Sequence, residues 1–216
     1  MPNHVVNHLS FAGKGASKVR AAIKGSKKEN TLYIDFNKII PMPETLNVSS
    51  GSLENDPERI IKQMPEKVIE SKDPLLVLAW MKENVDQLLD VNPSTKIYIL
   101  NYITYGYTSW YGWACDNWGT KWNAYEQSLD DKQQITFQTA WSTPEPVIAK
   151  LSTMFPTVTF TVNYADEDLG SNCGTYSYLN GECIDRGWPE GEEAFEYACE
   201  QWGYDAEELR RENEEA

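Results

Sequence analysis

An α+β two-layer sandwich with an antiparallel-rich sheet is the fold that this sequence predicts. Three observations predict it: stretches in which apolar and polar residues alternate, helix-start signals in which a capping residue precedes a proline, and one Asn180–Gly181 dipeptide between two alternating stretches. Alternation indicates a half-buried strand, because successive side chains of a strand point to opposite faces. Asn-Gly is typical of the tight turn of a hairpin. The order of these signals along the chain therefore gives the order of strands and helices.

The first forty residues predict a β-α-β unit. Residues 3–11 alternate as a strand, and a short helix is predicted at 17–24. Residues 31–40 (TLYIDFNKII) alternate again, which predicts a second strand. Pro41 ends this strand, because proline cannot donate to a sheet ladder. The residues expected on one side of the second strand are Leu32, Ile34 and Phe36.

A helical insertion is predicted to interrupt the sandwich at about residues 44–118. Its first part, 44–73, is polar and predicts a connector with one short helix at most. Asp73–Pro74 is a helix-start signal, and the predicted helix runs to about Leu89. A second helix is expected after Pro93. The residues expected to be buried by the first helix are Leu75, Leu78, Met81, Val85 and Leu88.

The second half of the chain predicts strands around one helix, followed by an acidic helical tail. The predicted elements are strands at 120–128 and 133–141, a helix that starts at Ser142–Glu145 (STPE) and ends at Pro156, and strands at 158–164, 175–179 and 182–184. A strand layer with its helices on one face is a sandwich of ferredoxin-like character. We therefore predict a single ferredoxin-like domain over 1–186, interrupted by the insertion, and an acidic helical extension over 187–216.

The formal charge of −14 is unevenly distributed along the chain. Residues 1–50 carry seven Lys and Arg against three Asp and Glu, whereas residues 162–216 carry three against sixteen. Gripping a phosphate backbone requires a basic surface, so we expect no direct nucleic-acid binding by the acidic end. Two explanations remain open for this end: it serves solubility alone, or it attracts a basic partner and mimics the charge of nucleic acid.

Composition and cysteine usage indicate a cytoplasmic protein without a metal or cofactor. No apolar run approaches the length of a membrane-spanning helix, and the N-terminus lacks the pattern of a signal peptide. The four cysteines form no CxxC pair, so a zinc site is not expected. Cys173 and Cys183 flank a predicted hairpin, but a reducing cytosol favours free thiols over a disulfide between them.

Nine aromatic residues between Tyr102 and Tyr125 are the most distinctive feature of the sequence. One interpretation is an aromatic helix that packs on the sheet and under the connector. The other is a pocket in which tryptophan stacks on a base or another flat ligand while Lys121 meets a phosphate. The candidate ligand-binding residues are Trp110, Trp118, Lys121, Trp122 and Asn123.

Acidic side chains are the second set of candidates, here for binding a protein. A metal site at Asp166–Asp168 is not favoured, because the spacing fits no EF-hand loop. His4 and His8 share one side of a predicted strand, where a structural role is more common than that of a general base. None of the familiar catalytic sequence motifs is present, so no catalytic residue is predicted. The candidate protein-binding residues are Asp166, Glu167, Asp168, Glu190, Glu192, Glu193, Glu196 and Glu200.

Five segments, in the same order along the chain, resemble one known family. They are MPNHVVNHLSF at the start, FNKIIPMPE at 36–44, NWGTKWNAY at 117–125, FQTAWSTPEPV at 137–147 and YADEDLGSNCG at 164–174. They are similar to the Api92-like, YubB-related proteins of bacteriophages and conjugative plasmids. The resemblance covers residues 1 to about 186 and leaves the acidic tail outside. It implies a ferredoxin-like domain and a mobile-element context, and it supplies no catalytic residues.

The function expected first is that of a non-enzymatic phage or mobile-element protein that inhibits a host factor, such as an antiviral-defence complex, through its acidic surface. The expected partner is a basic host protein or a nucleic-acid-binding complex, with no membrane involved. The alternative is a module that sequesters a nucleotide-like small molecule with the Trp-rich segment. A third, weaker hypothesis is a nucleotide-processing enzyme that uses His4 or His8 with the carboxylates of 166–168. Fold alone cannot distinguish among the three, because a ferredoxin-like sandwich supports many functions.

Overall fold

The N-terminal strand lies inside a six-stranded antiparallel sheet. The computed structural model describes residues 2–26, 31–50, 60–84, 93–130 and 134–215. The strands are β1 (His4–Gly13), β2 (Gly25–Ser26), β3 (Thr31–Leu32), β4 (Tyr125–Leu129), β5 (Ile135–Ala140), β6 (Val158–Asp166), β7 (Cys173–Leu179) and β8 (Glu182–Gly187). The helices are α1 (Ala16–Ile23), α2 (Glu66–Ser71), α3 (Pro74–Asn84), α4 (Pro93–Tyr105), α5 (Trp110–Trp118), α6 (Glu145–Met154), α7 (Gly191–Trp202) and α8 (Ala206–Glu215).

The strand order β4-β5-β1-β6-β7-β8 confirms the predicted ferredoxin-like α+β fold. The first four strands of this order, together with α1 and α6, form the ferredoxin-like unit, and the β7–β8 hairpin extends the sheet beyond β6. Val5 pairs with Thr139 on one side and with Asp166 on the other, so β1 is enclosed by strands from the distant second half of the chain. The hairpin turns at Asn180–Gly181, where both residues have positive φ, as a type I′ turn requires.

The predicted strand at 31–40 is wrong. Only Thr31–Leu32 is extended, and it pairs with the two-residue β2. Asp35 then stops any further strand: its backbone N–H donates to the carbonyl of Ile23 at 2.8 Å, and its carboxylate accepts the N–H of Asn37 at 3.0 Å, which starts a short 3₁₀ turn. Ile34 and Phe36 are nevertheless fully buried. The apolar pattern of this segment thus identified core residues but not their backbone conformation.

Helices cover both faces of the sheet. The first face, which includes Leu9 and Val162, is covered by α6 through Val147, Ile148 and Leu151. On the second face, α7 packs against β1, β6 and β7. Its small residues form one cluster with three strand residues of that face: Val6, Ala165, Cys173, Ala194 and Ala198. Helix α7, which belongs to the predicted acidic extension, thus adds a helix on the face opposite α6, because its small residues allow it to pack closely on the sheet.

The chain divides into two compact units, Met1–Pro41 with Ala114–Ala216, and Met42–Trp113. The second unit is helical and has its own core, which consists of Ile60, Ile61, Met64, Val68, Val77, Met81, Ile99 and Ile103. Helix α3 starts as predicted, with the Asp73 carboxylate accepting the N–H of Leu75 at 2.9 Å.

The residues that α3 buries agree only in part with the predicted set, in which Met81 is confirmed. Leu75 and Leu78 are exposed, whereas Val77 and Met81, one turn apart, face the core. Val85 and Leu88 lie outside the described residues. Within the part of the chain that the structure describes, no helix has the length and apolar character needed to span a membrane.

Candidate functional site

Two exposed tryptophans enclose the ammonium group of Lys121. Its Nζ atom lies 4.8 Å from the ring centroid of Trp122 and 4.8 Å from that of Trp141. Both indoles remain open to solvent, with 37% of Trp122 and 41% of Trp141 exposed. A cation over an aromatic face is attracted by the quadrupole of the ring. We call these three residues the tryptophan clamp.

The loop that carries the clamp is attached to the end of β5. Gly119 ends α5 with φ of 75°, a conformation that suits glycine. Thr120 is buried, and its hydroxyl donates to the carbonyl of Ala140 at 2.8 Å while accepting the N–H of the same residue at 3.1 Å. The hydroxyl of Ser142 donates to the Gly119 carbonyl. These bonds fix the backbone on which Lys121 and Trp122 stand.

Trp141 has a strained backbone, with φ of 75°. A positive φ is rare for a bulky residue and persists only where the surroundings impose it. Here the N–H of Trp141 donates to the carbonyl of Asn3 at 2.9 Å, and its carbonyl accepts the side-chain amide of Asn172 at 3.0 Å. Anchored on both sides, the backbone holds the indole next to Lys121.

A tyrosine–histidine pair extends the clamp along the sheet. The rings of Trp122 and Tyr125 meet edge to face at 6.1 Å. The Tyr125 hydroxyl donates to the carbonyl of Thr139 at 3.0 Å and lies 2.6 Å from Nδ1 of His4. Since a hydroxyl has one proton, His4 Nδ1–H donates to Tyr125. Burial, reinforced by the nearby charge of Glu167, raises the pKa of Tyr125 to about 12, so the phenol stays neutral.

Two of the predicted ligand-binding residues are structural. Trp118 is only 4% exposed; its ring packs edge to face on Phe36 at 5.8 Å, and its Nε1–H donates to the Ile40 carbonyl at 2.9 Å. The Asn123 side chain accepts the N–H of Phe36 at 2.9 Å and donates to the Asp35 carboxylate at 2.7 Å. Both side chains therefore hold the segment that precedes the insertion, which corrects their predicted role.

Of the other three predicted residues, Lys121 and Trp122 are brought together in the clamp. Trp110 belongs to the other compact unit, where its ring meets Tyr111 edge to face at 5.7 Å. Sequence reasoning missed Trp141. This residue lies 19 positions after Trp122, directly after β5, and belongs to no recognisable sequence motif. The signal that could have found it is the β4–β5 hairpin itself, since a hairpin returns the chain to its starting edge.

An acidic face covers the outside of α7. The helix turns Ala194, Ala198 and Cys199 to the sheet, and the Trp202 indole donates to the Asp166 carbonyl at 3.0 Å, which anchors its C-terminal end. His8 adds a further link, because its Nε2 lies 2.9 Å from the Gln201 carbonyl. The predicted carboxylates of this region are all exposed: Glu190, Glu192, Glu193, Glu196 and Glu200. We define these five residues as the acidic face.

Helix α8 packs on α7 and partly neutralises the acidic face. The guanidinium of Arg210 pairs with Glu196 at 2.9 Å and also with Glu192. These groups are well exposed, so each pair contributes little to stability. The pairing links α8 to the acidic face of α7.

Asp166 is not available to a partner, contrary to prediction. It is 4% exposed, and its carboxylate accepts hydrogen bonds from Asn3 at 3.1 Å, Asn172 at 3.0 Å and the backbone N–H of Asp168 at 2.9 Å. This network supports the same two residues that anchor Trp141. Glu167 accepts the backbone N–H of His4 at 3.0 Å but remains exposed, as does Asp168.

The described residues contain neither a group of side chains arranged as a metal site nor a disulfide bond. No group of three or more His, Cys, Asp or Glu side chains is arranged there to hold a metal ion. All four cysteines are free thiols, and burial raises the pKa of Cys173 and of Cys199.

The comparison with known families concerns the C-terminal part of the chain. Residues 117–212 match the family model described as a ferredoxin-like domain in Api92-like protein, which supports the Api92-like family for this part. The matched range includes α7 and most of α8. A crystal structure of a protein api92 from Yersinia pseudotuberculosis overlaps 88% of this chain and 99% of its own, with 11% identity and a TM-score of 0.45. No curated protein matches the sequence significantly.

Proposed function

We propose that this chain is a non-enzymatic accessory protein of a bacteriophage or mobile element that binds a basic host protein through its acidic face and blocks it. The observation that carries the proposal is the orientation of α7. Its small residues pack against the sheet, and its carboxylates are all exposed to solvent. Residues 190–215 contain eleven Asp and Glu against two Arg, so this part of the chain stays strongly negative although Arg210 pairs with Glu192 and Glu196.

The chemistry favours a partner that normally binds nucleic acid. Carboxylates held along a docked helix offer a rigid row of negative charge, as a phosphate backbone does. A basic groove would be attracted from a distance and then occupied, which blocks nucleic acid from it. A host antiviral-defence complex is such a target, and the mobile-element context that the family resemblance implies gives the reason for blocking it. The proposed location is the cytoplasm of the bacterial host.

The experiment is affinity purification of the full chain from its bacterial host, followed by native mass spectrometry. We expect a stoichiometric basic protein that is lost when the acidic face is changed to Gln at all five positions. The matched control removes five exposed charges elsewhere: Glu44→Gln, Glu66→Gln, Glu70→Gln, Glu182→Gln and Asp185→Asn. Because both variants lose the same formal charge, a specific interface predicts loss in the first only. A partner retained by the acidic-face variant would contradict the charge-mimicry proposal.

A second candidate function is binding of a nucleotide-like small molecule by the tryptophan clamp. The observation that favours it is the pair of half-open indoles with an ammonium group between them. A base can stack on an exposed indole face while its phosphate contacts Lys121. We expect cyclic and linear nucleotides to quench tryptophan fluorescence, and Trp122→Ala or Trp141→Ala to abolish the effect. Trp188→Ala, at a 64% exposed indole outside the clamp, is the control. Flat titrations would contradict this function.

A further inference from the structure

A cavity of about 200 Å³ lies between α1 and the β4–β5 hairpin, away from both surfaces described above. It is lined by Arg20, Ala21, Lys24, Tyr33, Leu129 and Ile135. Leu129 and Ile135 are directly paired across the hairpin, and therefore present neighbouring side chains. Helix α1 closes the other side with Ala21, whose single methyl group leaves the space open. The cavity thus exists because a small residue stands opposite a pair of branched ones.

The walls and the rim of the cavity differ in chemistry. The walls are apolar, made by Ala21, Leu129, Ile135 and the tyrosine side chain of Tyr33. The rim carries two cationic residues, because Arg20 in α1 and Lys24, the residue that caps the end of α1, both line the cavity. The Arg20 guanidinium is held over the Phe11 ring at 5.3 Å from its centroid. Lys24 is exposed at the end of the helix.

The local charge is opposite to that of the whole protein. The chain carries −14 overall, but α1 and its flanking residues, 14–24, contain Lys14, Lys18, Arg20 and Lys24 and no acidic residue. An anion is repelled by most of this surface and attracted at α1. An apolar cavity of about 150 Å³ is sufficient for benzene in other proteins. The size and rim of this cavity therefore fit one aromatic ring that carries a negative group.

We propose that this cavity is a binding site for a small hydrophobic carboxylate, with its aromatic ring between Ala21 and the Leu129–Ile135 pair and its carboxylate at Lys24 and Arg20. Burial of the ring supplies affinity, and the cations select the acid over a neutral analogue. The proposal is independent of the acidic face and of the tryptophan clamp, since neither contributes a lining residue. Failure of either proposed function therefore leaves it unaffected.

The test uses the full chain and a matched pair of probes, 3-phenylpropionate and 3-phenylpropanamide, titrated by NMR at neutral pH and low salt. We expect the acid to bind up to about fivefold more tightly than the amide, which is the upper end of what an exposed ion pair provides. Lys24→Gln should reduce this difference, with Arg20 left as the remaining cation. Lys18→Gln, an exposed lysine of the same helix that does not line the cavity, should leave the difference in place. Ala21→Leu should abolish binding of both probes by filling the space.

Three results would overturn the proposal. One is the absence of binding of either probe; the second is equal affinity for acid and amide in the unmodified protein; the third is unchanged binding in a folded Ala21→Leu variant. If Ala21→Leu does not fold, the affinity ratio measured in the unmodified, Lys24→Gln and Lys18→Gln proteins decides the question alone. An equal loss of selectivity in Lys18→Gln would assign the effect to the general field of α1 and also contradict the site.

Discussion

Trp118 and Trp122 are four residues apart, yet one belongs to the core and the other to the surface. We expect Trp118→Ala to lower the free energy of unfolding by about 3–5 kcal/mol, because a large buried ring and its hydrogen bond to Ile40 are lost. Trp122→Ala should cost about 1 kcal/mol or less, as changes at exposed positions do. Urea denaturation of both variants provides the comparison. Equal destabilisation would place Trp122 in the core and remove the clamp as a binding surface.

Two half-buried phenols, those of Tyr125 and Tyr178, predict a loss of stability at alkaline pH. Burial and the hydrogen bond to Glu145 raise the pKa of Tyr178 to about 12, and burial with the charge of Glu167 does the same for Tyr125. Below the unfolded pKa of about 10, both states bind the proton and the full stability is present. Between pH 10 and 12 the unfolded chain loses the proton first, so stability falls as pH rises.

Thermal unfolding from pH 9 to 11.5 measures this effect. Tyr178→Phe should have a lower Tm at pH 9, because its 2.5 Å hydrogen bond to Glu145 is lost, but a shallower decrease with pH. A slope equal to that of the unmodified protein would mean that Tyr178 does not contribute to the alkaline transition.

At the scale of the elements, two glycines with nearly the same φ angle allow the cost of backbone strain to be measured separately from the cost of a steric clash. Gly119 and Gly203 end α5 and α7 with φ of 75° and 74°. A Cβ on Gly203 meets nothing within 4 Å, whereas one on Gly119 lies 2.6 Å from Cδ of Pro146 at the start of α6. Gly203→Ala should cost about 1–2 kcal/mol for the angle alone. Gly119→Ala should cost a further 1–3 kcal/mol for overpacking. Chemical denaturation checks both, and equal costs would show that α6 yields to the methyl group.

The elements that could be predicted from sequence are those with local causes. The cap and proline at the start of α3 and the Asn180–Gly181 turn each act within four residues. The parts that could not be predicted depend on partners far along the chain. Asp35 does not continue a strand because it forms hydrogen bonds with Ile23 and Asn123. Helix α7 lies on the second face of the sheet because it packs there against Val6 and Ala165.

The same distinction explains how much of the candidate site was predictable. Lys121 and Trp122 stand out in a local aromatic segment. Trp141 depends on Asn3 and Asn172, which are distant in sequence and reach it only through the sheet. Asp166 was predicted as a surface carboxylate because charged residues are usually exposed, but three donors surround it. Local composition indicates exposure only where no distant group supplies hydrogen bonds.

At the scale of the whole molecule, the negative charge predicts that salt stabilises the protein. The repulsion energy among the carboxylates of α7 and α8 is expected to exceed the attraction energy of the two ion pairs that Arg210 makes. Salt screens this repulsion because the groups are exposed. We expect Tm to rise by a few degrees from low to physiological salt. The five-Gln variant of the acidic face should show a smaller rise from a higher starting Tm. A decrease with salt would indicate that attractive pairs dominate.

The position of β1 has a consequence for how this protein is made. Its apolar residues Val5, Val6 and Leu9 leave the ribosome first, but the strands that enclose them end only at Asp166. At synthesis rates of about 5–20 residues per second, the N-terminal strand waits on the order of ten seconds or more for its neighbours. The helical unit at 42–113 emerges meanwhile and can fold on local contacts. We expect yield in the cell to depend on chaperones that shield the nascent N-terminus.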